Sequence, residues 1–398
     1  MDYKNTKCAI LGSTGSVGTQ AIDALMELGA NITMLAAGKS YEKLMEQAKL
    51  CHPEIIATSD EGCGEKLRAE LGENIKIYSG ENAICHAIYD CGASLIVHSI
   101  SGMAGLPAAL AAAETGARIA MANKEALIAA GHLIYDRLGV SGGELIPVDS
   151  EHSAIFQCLC AQGAASPRTQ ADSSKVRRIL LTASGGPFFG WSSDALDTVT
   201  PEMALAHPTW KMGPKITVDC ATLMNKGFEL IEACRLFGVD SDKVEVLIHR
   251  QSIIHSMVEY IDTSVIAQLS YPDMRDCVRF ALTYPDRAPA GSPPLDFAKV
   301  GTLTFHEPDN EAFPLLNLAR ETWKRGGTAP AALIAADEEA VDAFLKNKIG
   351  FGDIARVVTA SMSKIAVYEA DSEVPIYRAE SEARSIARDI IANYAKGK

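Results

Sequence analysis

Short apolar runs alternate with amphipathic stretches along the first 150 residues of the chain. The apolar runs have the length and composition of buried strands and lie at 7–11, 31–37, 53–58, 93–100, 117–122 and 144–148. Helical periodicity separates several of them, before Gly29 and at 41–49 and 106–114. Such alternation predicts a parallel, doubly wound sheet of the α/β class, which binds ligands at the carboxyl ends of its strands.

The second half of the chain has a different pattern. An alternating run at 253–260 predicts a strand, and four helical segments are predicted near the end, at 314–325, 330–348, 353–370 and 380–394. Residues 285–311 are rich in proline and charge and are typical of a linker, whereas the polar, aperiodic residues 161–175 indicate an exposed loop. We therefore expect a helical domain at the C-terminus.

Composition narrows the possible partners. The 398 residues carry a formal net charge of −13 and show no basic face, which argues against nucleic acid as a partner. No apolar run has the roughly 18 residues needed to cross a bilayer, and the N-terminus runs directly into the first strand without a signal peptide. The ten cysteines include no C-x-x-C pair, so we expect free thiols and a cytoplasmic protein.

A glycine turn follows the first strand. It reads Gly12-Ser13-Thr14-Gly15-Ser16-Val17-Gly18 and leads into a helix, a context in which backbone N–H groups can bind a pyrophosphate. The spacing G-x-x-G-x-x-G differs from the usual dinucleotide motif, so an ordinary tight turn remains an alternative. The second strand ends in Gly38-Lys39-Ser40, where a cation and a hydroxyl suit the 2′-phosphate of NADP better than the ribose of NAD.

Carboxylates cluster after the strand at 144–148. In the sequence PVDSEHS, Asp149 and Glu151 are two residues apart, so in an extended segment they would point the same way. Two converging carboxylates suit a hard divalent cation such as Mg2+ or Mn2+, although a third would be expected. Taken alone, the cluster fits a solvated turn better than a metal site.

A second candidate group lies further along the chain. Residues 215–218 alternate like a strand, and a helical pattern begins at about Ala221. On that helix Asn225 and Glu229 would share a face, with Lys226 beside them. These groups could hold a phosphate and a metal together, or they could form the solvated face of an amphipathic helix.

Seven motifs occur in order along the chain: GSTGSVG at 12–18, ANKE at 122–125, PVDSEHSAIFQ at 147–157, TASGGPF at 182–188, HPTWKMG at 207–213, NKGFE at 225–229 and HRQSIIHSMVEY at 249–260. In this order and spacing the chain closely resembles the 1-deoxy-D-xylulose 5-phosphate reductoisomerase family, and the resemblance extends from about Lys7 to the C-terminal helices.

The resemblance implies an architecture and a set of cofactors. It implies an NADPH-binding Rossmann-like domain at 1–149, an α+β catalytic domain at 150–284 with a mobile loop at 184–213, a linker at 285–311 and a C-terminal helical domain at 312–398. It further implies a homodimer, a phosphorylated sugar substrate, NADPH, and Mg2+, Mn2+ or Co2+.

Site residues follow from the matching motif positions. The implied metal ligands are Asp149, Glu151 and Glu229. The implied substrate or catalytic residues are Lys124, Ser150, Glu151, Ser184, His207, Asn225, Lys226 and Glu229, with Cys220, His255 and Trp210 as weaker candidates. The implied cofactor contacts are Thr14, Gly15, Ser16, Val17, Gly38, Lys39, Ser40, Asn123, Glu125 and Gly213.

The implied reaction has two steps. The C3–C4 bond of 1-deoxy-D-xylulose 5-phosphate is rearranged by a retroaldol and aldol sequence or by an α-ketol shift. The resulting aldehyde is reduced by hydride from NADPH to 2-C-methyl-D-erythritol 4-phosphate. The reactive aldehyde needs shielding from water, which suits a lid at 184–213.

Several residues qualify this picture. Cys220 stands where the family commonly has a serine on the phosphate, and a thiol is a weaker donor. Pro214 stands where a basic residue is often found. His255 fits a structural histidine as well as a site residue, whereas His152 should point away from the metal and have a supporting role.

Two other functions remain open on the residues alone. A metal-dependent aldolase or isomerase without a redox cofactor would need the carboxylates but not the glycine turn. A non-catalytic NADP-binding regulator would not need Asp149, Glu151 and Glu229 together.

Overall fold

The structure is a computed structural model that describes residues 3–168, 170–206, 210, 212–289 and 291–396. Seven parallel strands form the first sheet in the order β4-β3-β2-β1-β5-β6-β7. They are β1 (Lys7–Leu11), β2 (Asn31–Ala37), β3 (Ile55–Thr58), β4 (Lys76–Ser79), β5 (Leu95–His98), β6 (Arg118–Met121) and β7 (Glu144–Pro147). The doubly wound α/β fold expected from the sequence is confirmed.

Six longer helices connect these strands. They are α1 (Ser16–Glu27), α2 (Tyr41–Cys51), α3 (Glu61–Leu71), α4 (Ala83–Asp90), α5 (Leu106–Glu114) and α6 (Lys124–Ser141). The strand order reverses beside β1, so the ends of β1 and β5 define the crevice in which such sheets bind ligands.

A second sheet follows in the chain. It contains β8 (Val176–Ala183), β9 (Val244–Ile248), β10 (Ile254–Tyr260) and β11 (Val265–Leu269), in the order β11-β10-β8-β9. The accompanying helices are α7 (Ser150–Ala161), α8 (Ser193–Leu196), α9 (Pro201–Ala204), α10 (Pro214–Ala221), α11 (Met224–Phe237) and α12 (Met274–Thr283). Tyr260 of β10 packs in the main core and donates a hydrogen bond to the Cys158 carbonyl of α7 at 2.9 Å.

The remaining residues are largely helical. After the short helix α13 (Phe297–Val300) come α14 (Leu315–Arg325), α15 (Ala329–Leu345), α16 (Phe351–Lys364) and α17 (Glu373–Lys396). All four predicted C-terminal helices are present, with ends shifted by up to several residues. Short 3₁₀ turns lie at Tyr3–Asn5, Gly72–Asn74, Met103–Gly105 and Ser241–Lys243.

Three local expectations need correction. Residues 215–218 are helical, not a strand: Pro214 occupies the start of α10, and Thr217 bonds back to the Gly213 carbonyl. Asp149 and Glu151 do not lie in an extended segment, because α7 begins directly after Asp149. The sequence analysis predicts six of the seven strands and misses β4, because this strand lies at the edge of the sheet and is only partly buried.

Two general expectations can be compared with the fold. All ten cysteines are free. Within the described part of the chain, no helix has both the length and the apolar character needed to cross a membrane.

Candidate active site

Three carboxylates from two distant segments meet beyond the end of β7. Asp149 is the N-cap of α7, Glu151 lies in the first turn of that helix, and Glu229 comes from α11. Each offers an oxygen, and these oxygens lie within 4.8 Å of one another. The third carboxylate that the pair at 149–151 requires is therefore contributed by the helix that follows α10.

Helix capping explains how the first two carboxylates converge. Asp149 Oδ1 accepts hydrogen bonds from the backbone N–H groups of Glu151 at 3.2 Å and His152 at 3.4 Å. This cap fixes the aspartate at the helix start, where the positive end of the helix dipole also favours a negative charge. Ser150, which is buried, donates its hydroxyl to Glu151 Oε2.

Two lysines lie among the carboxylates. Lys124 Nζ, at the start of α6, is 3.0 Å from Glu229 Oε1, 3.1 Å from Asp149 Oδ2 and 2.8 Å from Asn225 Oδ1. Lys226 Nζ is 2.8 Å from Glu151 Oε1 and also pairs with Glu229 Oε2. The predicted shared face of Asn225, Lys226 and Glu229 is therefore present, and it is buried and not solvated.

These contacts shift the pKa values. Burial acts to lower the pKa of Lys124, but Asp149 and Glu229 outweigh it and raise that pKa well above its usual range. Burial likewise favours protonated Asp149, yet Lys124 and His152 hold the pKa of the Asp149 carboxyl well below its ordinary value. Burial and the neighbouring Glu151 raise the pKa of Glu229 despite the two lysines.

The sequence analysis predicts that His152 points away from the metal. In the structure its side chain contacts the carboxylate cluster instead. Its Nδ1 lies 2.9 Å from Asp149 Oδ1 and its Nε2 lies 3.0 Å from the Glu229 carbonyl oxygen. The helical backbone turns the side chain back towards the N-cap, which an extended segment would not do. Its expected supporting role remains a prediction.

The carboxylates form part of the lining of a cavity of about 810 Å³. The predicted substrate-end residues that line it are Lys124, Ser150, Glu151, Ser184, Trp210, Cys220, Asn225, Lys226, Glu229 and His255. His207 lies outside the described residues. The cavity thus brings together residues from the first sheet, the second sheet and α11.

The weaker candidates have distinct surroundings. The Trp210 and His255 rings lie 6.4 Å apart between centroids. Burial lowers the pKa of His255, and its Nε2 has no hydrogen-bond partner among the described residues. Burial raises the pKa of the Cys220 thiol to about 12, so it is a neutral and weak donor at this wall.

Part of the glycine turn also contributes to the cavity. Gly15, Ser16, Val17, Glu125 and Gly213 line the same cavity, whereas Thr14, Gly38, Lys39, Ser40 and Asn123 do not. Asn123 is instead the N-cap of α6, accepting from the Ala126 N–H at 2.6 Å. The exposed Lys39 and its neighbours follow β2, which pairs with β1.

Other lining residues were not predicted from the sequence. They include Gln20, Ser99, Ile100, Ser101, Gly102, Ser252 and Glu338. Residues 99–102 follow β5 at its carboxyl end, so the rule that located the glycine turn could also have indicated them. Glu338 comes from α15, and no sequence signal connects that distant helix with the cavity.

Models of known protein families match most of the chain. A family model described as 1-deoxy-D-xylulose 5-phosphate reductoisomerase matches residues 8–131. Two models of the C-terminal domains of the same enzyme match residues 145–237 and 269–386.

Curated relatives extend the match over nearly the whole chain. The 1-deoxy-D-xylulose 5-phosphate reductoisomerase of Caulobacter vibrioides is 45% identical over 395 residues, which is 97% of this chain and 96% of that protein. That of Heliobacterium modesticaldum is 44% identical over 389 residues, covering 96% and 97%.

Solved structures of such enzymes have the same fold. The Zymomonas mobilis reductoisomerase in complex with NADPH superposes with a TM-score of 0.89 at 39% identity, covering 98% of this chain and 99% of that one. A reductoisomerase in complex with NADPH, fosmidomycin and magnesium gives 0.88 at 37% identity, covering 97% and 98%. Sequence and fold together establish that this chain belongs to the 1-deoxy-D-xylulose 5-phosphate reductoisomerase family, whose members are NADPH-dependent oxidoreductases.

Proposed function

We propose that the chain converts 1-deoxy-D-xylulose 5-phosphate to 2-C-methyl-D-erythritol 4-phosphate with NADPH and a divalent cation, in the non-mevalonate isoprenoid pathway. The observation that carries this proposal is one cavity lined both by Asp149, Glu151 and Glu229 and by residues of the glycine turn. Neither an aldolase without a redox cofactor nor a non-catalytic binding protein needs both the three carboxylates and the glycine turn.

The donor set fits a hard divalent cation. Asp149, Glu151 and Glu229 supply oxygen ligands, which Mg2+ and Mn2+ prefer, and the surrounding cavity leaves room for substrate oxygens. An ion held there would act as a Lewis acid towards the substrate's carbonyl and hydroxyl oxygens. Lys124 and Lys226 would exchange some of their carboxylate contacts for contacts with substrate.

The glycine turn fits a dinucleotide. Helix α1 has 12 residues, and no side chain in the described structure caps its first N–H groups, which leaves them available for a pyrophosphate. Gly12 has φ +80°, and a β-carbon on Gly18 would lie 2.3 Å from the Gly12 carbonyl oxygen. Only glycine therefore allows the helix to start so close to the end of β1.

The remaining residues are assigned to the two ends of the substrate. Ser184, Asn225 and Lys226, with His207, would bind the phosphate and hydroxyls, while Lys124 and Ser150 would orient the carbonyl end. Cys220 would add little to the phosphate contacts, because its neutral thiol is a poor donor. Residues 184–213 would close over the substrate and exclude water from the aldehyde.

The domain boundaries given above, a homodimer, a cytoplasmic location and the use of Mn2+ in place of Mg2+ also belong to this proposal. The direct experiment follows NADPH absorbance with purified protein and substrate, with and without Mg2+ or Mn2+. Oxidation of NADPH that needs both substrate and metal is the expected result. Folded protein that oxidises no NADPH under any of these conditions would refute the proposal.

A further inference from the structure

Glu338 is a charged side chain from the C-terminal helices that lines the cavity and has no part in the proposed function. It lies on α15, far along the chain from the motifs that carry the other lining residues. Its side chain is 23% exposed, and its Oε2 pairs with Arg384 of α17. A carboxylate that an arginine anchors at a cavity wall is a strong acceptor for a hydroxyl group of a ligand.

The other carboxylate oxygen of Glu338 faces the backbone beyond β5. Among the residues that the structure describes, Oε2 accepts a hydrogen bond from Arg384, whereas Oε1 accepts none. Oε1 lies beside Gly102, since a β-carbon placed on that glycine would be 3.5 Å from it. Residues 99–102 line the cavity, so this oxygen lies where a ligand in the cavity can reach it.

The position of Gly102 in the sheet indicates which half of a dinucleotide would lie beside Glu338. A doubly wound sheet binds the two nucleotides on either side of the point where the strand order reverses, which here lies between β1 and β5. Lys39 follows β2, in the half assigned to the adenosine 2′-phosphate, whereas Gly102 follows β5, in the other half. The nicotinamide nucleotide is therefore the half next to Glu338.

The nicotinamide nucleotide has the chemistry that a carboxylate recognises. Its ribose carries two neighbouring hydroxyls and no 2′-phosphate, so both hydroxyls can donate hydrogen bonds to Glu338. The acidic residue of NAD-binding sites accepts from the adenosine ribose in the same way. Beside the adenosine ribose of NADPH, by contrast, a carboxylate would meet the like charge of the 2′-phosphate.

We propose that Glu338 is a cofactor-binding residue, whose Oε1 accepts hydrogen bonds from the nicotinamide ribose of NADPH. The C-terminal helices would then form part of the cofactor site, and Arg384 would hold the carboxylate in place. This inference rests on the use of NADPH in the proposed function.

The test is the affinity of the full-length protein for NADPH, measured from nicotinamide fluorescence without metal or substrate. Glu338→Ala should raise the Kd of NADPH at least about tenfold, because it removes a charge-assisted hydrogen bond. The Kd of adenosine 2′,5′-bisphosphate, measured by calorimetry, should stay unchanged, because this fragment carries the 2′-phosphate but no nicotinamide ribose. A general loss of structure would weaken the binding of both.

The next residue of α15 provides a matched control. Glu339 pairs with Arg384 and Arg388 and is not among the residues that line the cavity. Glu339→Ala therefore also removes a carboxylate from Arg384, but it should leave the Kd of NADPH unchanged. If Glu338→Ala does not fold, Glu338→Gln keeps the side-chain length and should still raise the Kd of NADPH about threefold or more, because a neutral hydrogen bond replaces a charge-assisted one.

The outcomes distinguish this inference from the proposed function. A wild-type protein that binds no NADPH would overturn the proposed function, and this inference with it. A Glu338→Ala variant that binds NADPH as tightly as the wild type, or that loses affinity equally for NADPH and the adenosine fragment, would overturn only the role of Glu338. Equal losses of NADPH affinity in Glu338→Ala and Glu339→Ala would overturn it as well.

Discussion

At the scale of single residues, the site depends on side chains that serve two purposes. Asp149 caps α7 and offers an oxygen to the cluster, and Lys226 pairs with one carboxylate from α7 and another from its own helix. Because these groups are buried, an ion pair that loses one partner leaves an uncompensated charge. Substitutions here should therefore affect chemistry and stability together.

Glu229 provides the clearest test of the proposed ligands. Glu229→Gln keeps the side chain's shape but removes a carboxylate that contacts both Lys124 and Lys226. We expect kcat/KM to fall at least about 100-fold, equivalent to about 3 kcal/mol of transition-state stabilisation. Steady-state kinetics at saturating Mg2+ would measure it, and activity within about threefold of the wild type would exclude Glu229 as a ligand.

Lys39 tests the cofactor assignment. It is exposed directly after β2, the strand that pairs with β1, where its charge would meet a 2′-phosphate. Lys39→Glu should raise the KM for NADPH about tenfold or more and leave the KM for NADH almost unchanged, because only NADPH carries that phosphate. Equal changes for the two cofactors would count against this contact. Lys49→Glu, on the exposed end of α2, is a suitable control.

At the scale of elements, β5 ends in a histidine that tightens the turn beside the cavity. The His98 ring is fully buried, with Nε2 2.8 Å from the Gly105 carbonyl oxygen. Burial lowers the pKa of His98 to about 4, so the ring is neutral in the folded protein. In the unfolded chain the pKa should return to about 6.5.

A pH dependence follows from that difference. The unfolded state binds the proton more readily, so His98 should reduce the free energy of unfolding as pH falls from about 6.5 to about 4, by roughly 3 kcal/mol. Above about pH 6.5 the effect is absent. Urea unfolding at several pH values should show this part of the slope missing in His98→Gln and retained in His86→Gln, where the histidine is exposed. Identical slopes in both variants would contradict the assignment.

A comparison of the predicted and observed strands and helices shows what could be inferred from the sequence. Continuous apolar runs such as 31–37 are strong signals because strands inside a parallel sheet are buried on both faces. Edge strand β4 lacks that signal, and the β-branched run at 215–218 suggested a strand although Pro214 starts a helix there. The carboxylate cluster was predictable from its motifs. Glu338 was not, because only tertiary packing directs it to the cavity.

At the scale of the whole molecule, the cavity lies where separate parts of the chain meet. Lys124 extends from the first sheet to Glu229 of α11, and Glu338 of α15 reaches the same cavity from the C-terminal helices. Residues 184–213 carry only two short helices, α8 and α9, within their described part. Such a connection between well-packed elements is suited to closing over a ligand.

Limited proteolysis tests this proposed closure. Cleavage within 184–213 should slow at least about fivefold when NADPH, Mg2+ and substrate are present, because an ordered segment is a poor protease substrate. Cleavage in the exposed residues 172–175 should keep its rate and serves as the internal control. The same rate of cleavage in 184–213 with and without ligands would exclude a lid.

The two lysines among the three acids affect how the enzyme folds and how stable it is without metal. Two of the three negative charges are already compensated by the chain's own ammonium groups, so we expect the polypeptide to reach its native state without an ion. Chelation should abolish turnover and lower the melting temperature only by the small amount that loss of a bound ligand produces, and returned Mg2+ should restore turnover without refolding. A cell short of magnesium would then contain folded but inactive enzyme, which regains activity when the ion returns.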